Sequence, residues 1–218
     1  LIPFSIKRKL NYGVSLYQNR LDINLNKQRK NIKINNLPIS LQGDHNKENI
    51  VAAVSTCLLI NDKFEDWIEH LYSYQSLPHR MEFVHRTSKT NTLWINDSKA
   101  TNTQSTKYSL TTFDKIHWIV GGLAKENSIT LLKPYIKKVI KAYLIGSSTY
   151  LFAQQCEEIK LNYLKCFNLN QAIEEILKQN LQNSTVLLAP ACSSFDQWQN
   201  FEERGNFFRA KVLSLTES

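Results

Sequence analysis

From Lys115 onward the apolar and polar positions alternate between two periods. "KIHWIVGG" (115–122) is a continuous apolar run closing on two glycines, the pattern of a strand buried on both faces. "SITLLKPYIKKVIK" follows with helical spacing, and Pro134 must sit in its first turns or break it. "AYLIG" (142–146) reads as a strand, "SSTYLFAQQCEEI" as a helix and "LNYLKC" as a strand. "NLNQAIEEILKQNL" predicts an amphipathic helix with Ala172, Ile173, Ile176, Leu177 and Leu181 on one side and an asparagine cap ahead of it. "STVLLAP" (184–190) is the last strand, and "FDQWQNFEERGNFFRAKVLSL" the last helix, opening near Phe195. Strands alternating with helices imply crossover connections and a Rossmann-like, doubly wound, mostly parallel α/β sheet. Ligands of such sheets gather at the carboxyl ends of the strands. That places the loops after Ile95, Val120, Ile145 and Leu188 in play.

The first third has a different texture. "NRLDINLN" and "KNIKINNLPIS" alternate like two half-exposed strands joined by a basic turn. "HNKENIVAAVSTCLLI" (45–60) predicts a helix with an apolar stripe at Ile50, Ala53, Val54, Cys57 and Leu58, and "FEDWIEHLYSY" a second with Trp67 and Leu71 facing in. "RMEFVHR" and "TLWIN" read as a hairpin across "TSKTN". The change of pattern near Ser76–Leu77–Pro78 divides the chain into 1–76 and 77–218.

Composition narrows the class. Hydrophobic content of 42% with 21% charged residues is that of a globular protein. No apolar run approaches the roughly 18 residues that cross a bilayer. Cys57, Cys156, Cys166 and Cys192 show no metal-ligand spacing, which fits reduced thiols in a cytoplasmic protein and predicts no metal site. The net charge of +8 is concentrated at one end, where Lys7, Arg8, Lys9, Arg20, Lys27, Arg29, Lys30 and Lys33 face one acid, Asp22. The rest of the chain is near neutral, and no aromatic platform is interleaved with the basic edge. A solvated face or a protein-facing surface is expected there, and no nucleic-acid partner.

Three stretches carry chemistry. "WINDSKATN" brings Asp97, Lys99 and Thr101 to the end of an apolar strand. There an acid suits ribose hydroxyls, a lysine suits phosphate or carboxylate oxygens, and a threonine donates to a carboxylate. The same residues equally suit a polar loop whose Asp, Ser and Thr cap the next helix. "GGLAKE" (121–126) allows close backbone approach to an anion beside Lys125, although strand-Gly-Gly is also a common turn. "PACSSFDQWQNFEERG" is read as placing Ser193 and Ser194 at a helix N-terminus, which favours carboxylates. Phe195, Trp198 and Phe201 equally suit core positions at helical spacing. Asn46 and Asn49 have amides that match adenine's paired edge or cap a helix, and Arg80 in "LPHR" sits at the junction between the two parts. His45, His70, His85 and His117 show no partner pattern.

"LPHRMEFV", "WINDSKATN" and "LLAPACSSFDQWQNFEERGNFFR", with "LQGDHNKENIVAAV" ahead of them, resemble the carboxy-terminal half of the Mur ligases, in the branch that adds D-glutamate to the peptidoglycan precursor. The resemblance covers essentially the whole chain with the motifs in order. It implies a bacterial, cytoplasmic, ADP-forming ligase of cell-wall synthesis. It also implies that residues 1–76 are the tail of a central P-loop-type ATPase domain and 77–218 the acceptor-binding domain. By that resemblance Lys99, Thr101, Lys125, Ser194, Phe195 and Phe201 line the D-glutamate site, and Asn46, Asn49, Arg80 and Asp97 meet the nucleotide. Ala124 departs from the pattern, standing where the family often has glycine.

The family reaction uses ATP and Mg²⁺ to turn the carboxylate of UDP-N-acetylmuramoyl-L-alanine into an acyl phosphate, which the D-glutamate amine attacks. The sequence holds no G-x-x-x-x-G-K-[ST] loop, and its six glycines are scattered. The expectation is therefore a fragment beginning inside a protein, at "LIPFSI", with no catalytic residue of its own. On that expectation the chain by itself is inactive and the phosphate loop lies upstream of Leu1, a separately encoded N-terminal half being one of the sources left open. A sister Mur or folylpolyglutamate-type ligase is the alternative, against which the D-N-P-R motif of the diamino-acid branch is missing. A non-catalytic binding module is the other.

Overall fold

The computed structural model describes residues 1–25, 28–60, 65–124 and 128–216, which form two compact units, Leu1–Gln75 and Ser76–Ser218. In the first unit strands β1 (Phe4–Ser5), β2 (Gly13–Tyr17), β3 (Arg20–Leu25) and β4 (Gln28–Lys33) lie side by side in that order. β1 runs parallel to β2, and the other pairs are antiparallel. The β3–β4 pair is the one that alternation predicts, whereas β1 and β2 have no such signature. What joins those two is the turn at Gly13, whose φ of +120° lets Val14 N–H donate to the Pro3 carbonyl at 3.0 Å.

One face of this sheet packs Val14, Leu16, Leu21, Ile23 and Ile34 under helix α1 (Asp44–Ile60), which contributes Ile50, Val51, Val54 and Leu58. Ala53, placed in the apolar stripe by its spacing, is exposed, because the buried stripe is rotated toward Val51 and Ser55. Helix α2 (Glu65–Tyr72) adds Ile68 and Leu71, while the side chain of Trp67 lies outside the described residues. The other face is polar: Arg20 donates to Asn31, Asn31 to Asp22, and Lys9 pairs with Asp22 at 3.0 Å. Asp22 thus offsets part of the basic edge locally.

The second unit is a six-stranded sheet of β5 (Glu82–Arg86), β6 (Leu93–Asn96), β7 (Ile116–Gly121), β8 (Val139–Ile145), β9 (Tyr163–Phe167) and β10 (Thr185–Leu188). Their spatial order is β5-β6-β10-β7-β8-β9, all parallel except β5, which forms the expected hairpin with β6. α3 (Thr103–Thr112), a 3-10 helix at Ile129–Tyr135 and α4 (Thr149–Glu158) pack together, while α5 (Leu169–Leu177) and α6 (Phe201–Thr216) pack together in a second layer. This is the doubly wound, mostly parallel sheet that the two periods imply. Ile119, Tyr143, Ile145, Val186 and Leu188 meet Ile173, Ile176, Phe208 and Val212 of α5 and α6. The residues of opposite parity, Trp118, Val120, Leu144 and Leu187, are fully buried as well, which is why these strands read as unbroken apolar runs.

Two elements differ from their sequence pattern. The helical spacing across 128–141 ends with the 3-10 turn at Tyr135, since Pro134 lacks the N–H to continue it, and Val139–Lys141 already belong to β8. The last helix begins at Phe201, six residues later than Phe195, because Asn200 caps it by accepting from Glu203 N–H at 2.8 Å. The F-x-x-W-x-x-F spacing upstream is instead a turn, with Gln197 and Trp198 N–H both donating to the Ser194 carbonyl. Trp198 packs from that turn onto Phe207, with ring centroids 4.9 Å apart.

Gly121 closes β7 with φ +128°, and a Cβ there would lie 2.0 Å from the Ile145 carbonyl oxygen of the neighbouring strand. Gly121→Ala is expected to lower the urea unfolding free energy of the chain by about 2–3 kcal/mol. An unchanged midpoint would show that the strand end relaxes freely.

Candidate functional site

The carboxyl edge of the β6–β10–β7–β8 sheet is where polar side chains converge. β6 continues past Asn96 as far as Asp97, whose N–H donates to the Leu188 carbonyl at 2.8 Å. It then turns without a glycine. Ala100 N–H donates to Asp97 O at 2.9 Å and Thr101 N–H to Lys99 O at 2.8 Å, before Asn102 caps α3 by accepting from Ser105 N–H. The Asp, Ser and Thr of "NDSKATN" are therefore neither a loose loop nor the helix cap, a role that belongs to Asn102.

Asp97 is 7% exposed, and both of its oxygens are used within the protein. Oδ1 accepts from Met81 N–H at 3.2 Å and Oδ2 from the Ser109 hydroxyl. Burial pushes its pKa up to about 6, against the lowering effects of those two donors and of the Arg80 charge. Arg80 is exposed at the tip of the turn that follows Pro78. His79, beside it, is buried at φ +63° with its ring against Gly205 of α6, where a Cβ would lie 2.2 Å from Nδ1. Burial also holds the His79 pKa below its ordinary value, which suits a bare Nδ1 lying 3.0 Å from the Asn96 amide.

Lys99 is half-buried and places its ammonium 3.8 Å from the centroid of the Phe201 ring, at the start of α6. The edge of that ring meets His79, with centroids 6.0 Å apart. The segment after β10 straps the sheet edge from the other side. Leu123 and Ser193 form a two-way bridge, Asp196 accepts from Ser147 N–H at 2.8 Å, and Gln197 donates to the Phe167 carbonyl. It leaves Ser194 buried and Phe195 66% exposed. Ser193 and Ser194 do not sit at the N-terminus of α6, since that helix starts only at Phe201.

The anchor between the two sides is Arg204. Its Nε donates to Ser98 Oγ, and its Nη2 to the Ser98 and Cys192 carbonyls, at 3.0–3.2 Å. Ser98 Oγ in turn donates a hydrogen bond to the Phe201 carbonyl at 2.8 Å. Burial lowers the Arg204 pKa to about 10, which leaves it charged at neutral pH.

Of the residues singled out by sequence, Lys99 and Phe201 are in contact, and Asp97 and Arg80 adjoin through Met81. Thr101 lies just beyond the turn, and Ser194 and Phe195 lie on the strap. Lys125 lies outside the described residues. Asn46 and Asn49 belong to the first unit. There the Asn46 amide donates to the Ser40 and Gln42 carbonyls at 2.9 Å, tying α1 to the turn before it, and Asn49 is exposed. Among the described residues no group of three or more His, Cys, Asp or Glu side chains is placed to hold a metal ion. Arg204, His79, Glu82, Asn96 and Ser98 lie inside the motifs that carry the resemblance, yet sequence reasoning gave none of them a role. A signal for Arg204 exists nonetheless: it shares the Phe201, Gly205, Phe208, Val212 stripe, a charge on the buried face of a helix.

A family model described as "Mur ligase, glutamate ligase domain" matches residues 79–192, just over half of the chain. The chain belongs to the Mur ligase family. The match starts at the buried histidine of the turn and ends at Cys192, whose carbonyl Arg204 holds. Among curated members of the family, the UDP-N-acetylmuramoylalanine--D-glutamate ligase of Rickettsia felis is 40% identical over 212 residues, covering 95% of this chain and 45% of the relative. The enzyme of the same name from Rhizobium meliloti is 39% identical over 180 residues, covering 81% and 38%. The chain thus spans less than half the length of these curated relatives. Among solved structures, UDP-N-acetylmuramate-alanine ligase MurC from Thermotoga maritima shares the fold with a TM-score of 0.67 at 13% identity, over 98% of this chain and 48% of that one. MurF from Acinetobacter baumannii does so with a TM-score of 0.58 at 14% identity, over 91% and 42%.

Because the Asp97 pKa is raised, folding favours its protonated form. The associated stability is complete below about pH 4 and is lost as the pH rises through about 6. Asp97→Asn keeps an acceptor for Met81 N–H and removes the buried charge. It is expected to be more stable than the wild type at pH 8, by on the order of 2–3 kcal/mol, with the difference shrinking toward pH 4. Urea unfolding of both proteins at pH 5 and pH 8 checks this, and a pH-independent difference would refute it.

Proposed function

We propose that residues 77–218 are the acceptor-binding domain of an ATP-dependent ligase that joins D-glutamate to UDP-N-acetylmuramoyl-L-alanine. In this reading residues 1–76 form the closing part of its central ATP-binding domain. The observation that carries the reading is the Lys99 ammonium seated on the Phe201 ring, one residue beyond a buried serine and two beyond a buried aspartate, at the carboxyl edge of the sheet. A cation held at a fixed place and only half-buried is pre-set to grip a carboxylate. The names of the curated relatives supply D-glutamate as the candidate for that carboxylate.

In this reading Lys99, Thr101 and Lys125 meet the D-glutamate carboxylates, and Ser194, Phe195 and Phe201 line its pocket. Arg80 meets phosphate or ribose oxygens; Asp97 would reach the ribose hydroxyls, and Asn46 with Asn49 the adenine edge, only by exchanging the internal partners that Met81, Ser109, Ser40 and Gln42 now provide. ATP with Mg²⁺ would activate the acyl group, and the missing length of the relatives accounts for the phosphate loop and the UDP-sugar site. This chain's own contribution is to place the attacking amine and exclude water around it. The setting is bacterial cell-wall precursor synthesis in the cytoplasm. Among the described residues no helix is long and apolar enough to cross a membrane.

Titration of D-glutamate into the purified chain, with L-glutamate as control, tests the reading by the NMR amide shifts of Lys99 and Ser194. D-selective shifts at both residues are expected. Lys99→Met should weaken binding by about 10–100-fold, the loss of a charge-assisted contact, with little change in stability. Equal response to both enantiomers, or retention of affinity in Lys99→Met, would refute the assignment.

A further inference from the structure

Two consecutive features of the Leu77–Met81 turn are unfavourable for ordinary residues. His79 sits at φ +63° and Met81 at φ +45°, the left-handed region that β-carbons disfavour. Such strain persists only where surrounding groups over-determine it. Here three backbone groups of the strained residues are gripped from outside the turn. His79 N–H donates to Glu82 Oε2 at 2.9 Å, the His79 carbonyl accepts from Lys99 N–H at 3.1 Å, and Met81 N–H donates to Asp97. Arg80 N–H closes the turn on the Leu77 carbonyl at 3.2 Å, which leaves the Arg80 side chain as the group presented outward.

Glu82 is the member of this clamp with no assigned ligand role. It is buried, and Oε2 accepts a second hydrogen bond, from the Asn96 amide at 2.9 Å, while Oε1 faces Arg209 Nε at 3.4 Å. Asn96 is fully buried, and its two amide hydrogens are shared among Glu82 Oε2, the Gly205 carbonyl at 3.1 Å and His79 Nδ1 at 3.0 Å. Its carbonyl accepts from Ser98 N–H, at the residue that Arg204 holds. Oε2 of Glu82 therefore joins the turn to the end of β6, and Asn96 carries the link on to Gly205 in α6.

We propose that Glu82 is a positioning residue: together with Asn96 it locks the strained turn, setting the Arg80 side chain and the Lys99 backbone in one fixed relation. The ligand half of this inference rests on the roles proposed above for Arg80 and Lys99. The clamp itself rests on the geometry alone. Two buried carboxylates then share the task, Glu82 holding the turn's first strained residue and Asp97 its last.

The test compares the wild-type chain with Glu82→Leu and Glu82→Gln. Glutamine keeps an oxygen that accepts from both His79 N–H and Asn96, and leucine does not. In Glu82→Leu, amide hydrogen exchange at Met81 and Lys99 should accelerate by about 30-fold or more, with the Val120 and Leu144 amides in the sheet core changed by less than about threefold. The D-glutamate Kd should rise by about tenfold or more, and Glu82→Gln should restore both readouts to within about threefold. Should the leucine variant fail to fold, Glu82→Asp, which draws the carboxylate back by one methylene, is read the same way. Unchanged exchange at Met81 and Lys99 would overturn the proposal, as would a glutamine variant as impaired as leucine. If the wild-type chain binds no D-glutamate, the ligand reading falls, and the exchange comparison still decides the role of Glu82.

Discussion

The guanidinium of Arg204, 1% exposed, has no carboxylate partner among its hydrogen bonds, which run to Ser98 and the Cys192 carbonyl. Moving a charge out of water this far is costly, and here fixed peptide and hydroxyl dipoles offset the cost in place of a counter-ion. The consequence is geometric. Ser98 ends the segment after β6, Cys192 lies beyond β10, and α6 carries the arginine, so one planar fork sets three elements against one another. Phe201 is three residues ahead of Arg204 on the same helix and is held again through the Ser98 hydroxyl. The ring therefore meets Lys99 because the guanidinium lies where it does.

Around this anchor the sheet edge accepts local instability. Asp97 is a carboxylate kept where burial favours its neutral form, and His79 and Met81 occupy the left-handed backbone region that β-carbons disfavour. Gly205 is required for the imidazole to fit beneath α6. Such features concentrate where a molecule holds groups ready in advance. The strap from Ser193 to Gln197 has the complementary character. Its contacts are hydrogen bonds from strand-end turns, and its one large apolar side chain, Phe195, is left facing outward. A pre-set cation on an aromatic ring, with an exposed phenylalanine on the adjoining strap, suits a small ligand that carries both charge and methylene groups.

How much of this was legible depended on whether a feature is local. The apolar runs at 116–121 and 185–188, and the amphipathic stretch at 169–177, name their elements unambiguously, because burial on one or two faces writes itself into the spacing. The short strands β1 and β2 escaped, since two residues paired to a glycine turn leave no periodic trace. The last helix was misplaced because F-x-x-W-x-x-F imitates helical spacing, and only the cap at Asn200 shows where the helix begins. In the site, Lys99 and Phe201 were legible only through family motifs, while Glu82, Asn96 and His79 lie inside two of those motifs without any sign that they form one cluster. Its members stand 3 to 17 residues apart and meet because β5 and β6 form a hairpin.

By itself the sequence determined the class of fold, the alternation of strand and helix from Lys115 onward, the family, and the strand ends at which polar groups would gather. These follow from periodicity and from motifs of neighbouring residues, which are properties of the chain read along its length. Only the tertiary structure decided that a lone arginine would anchor the edge, that an aspartate would be buried there, and that Lys99 would rest on Phe201. Those outcomes depend on which strand ends lie side by side and on how much water is left between them. Residues about a hundred positions apart acquire such neighbours only when the sheet closes.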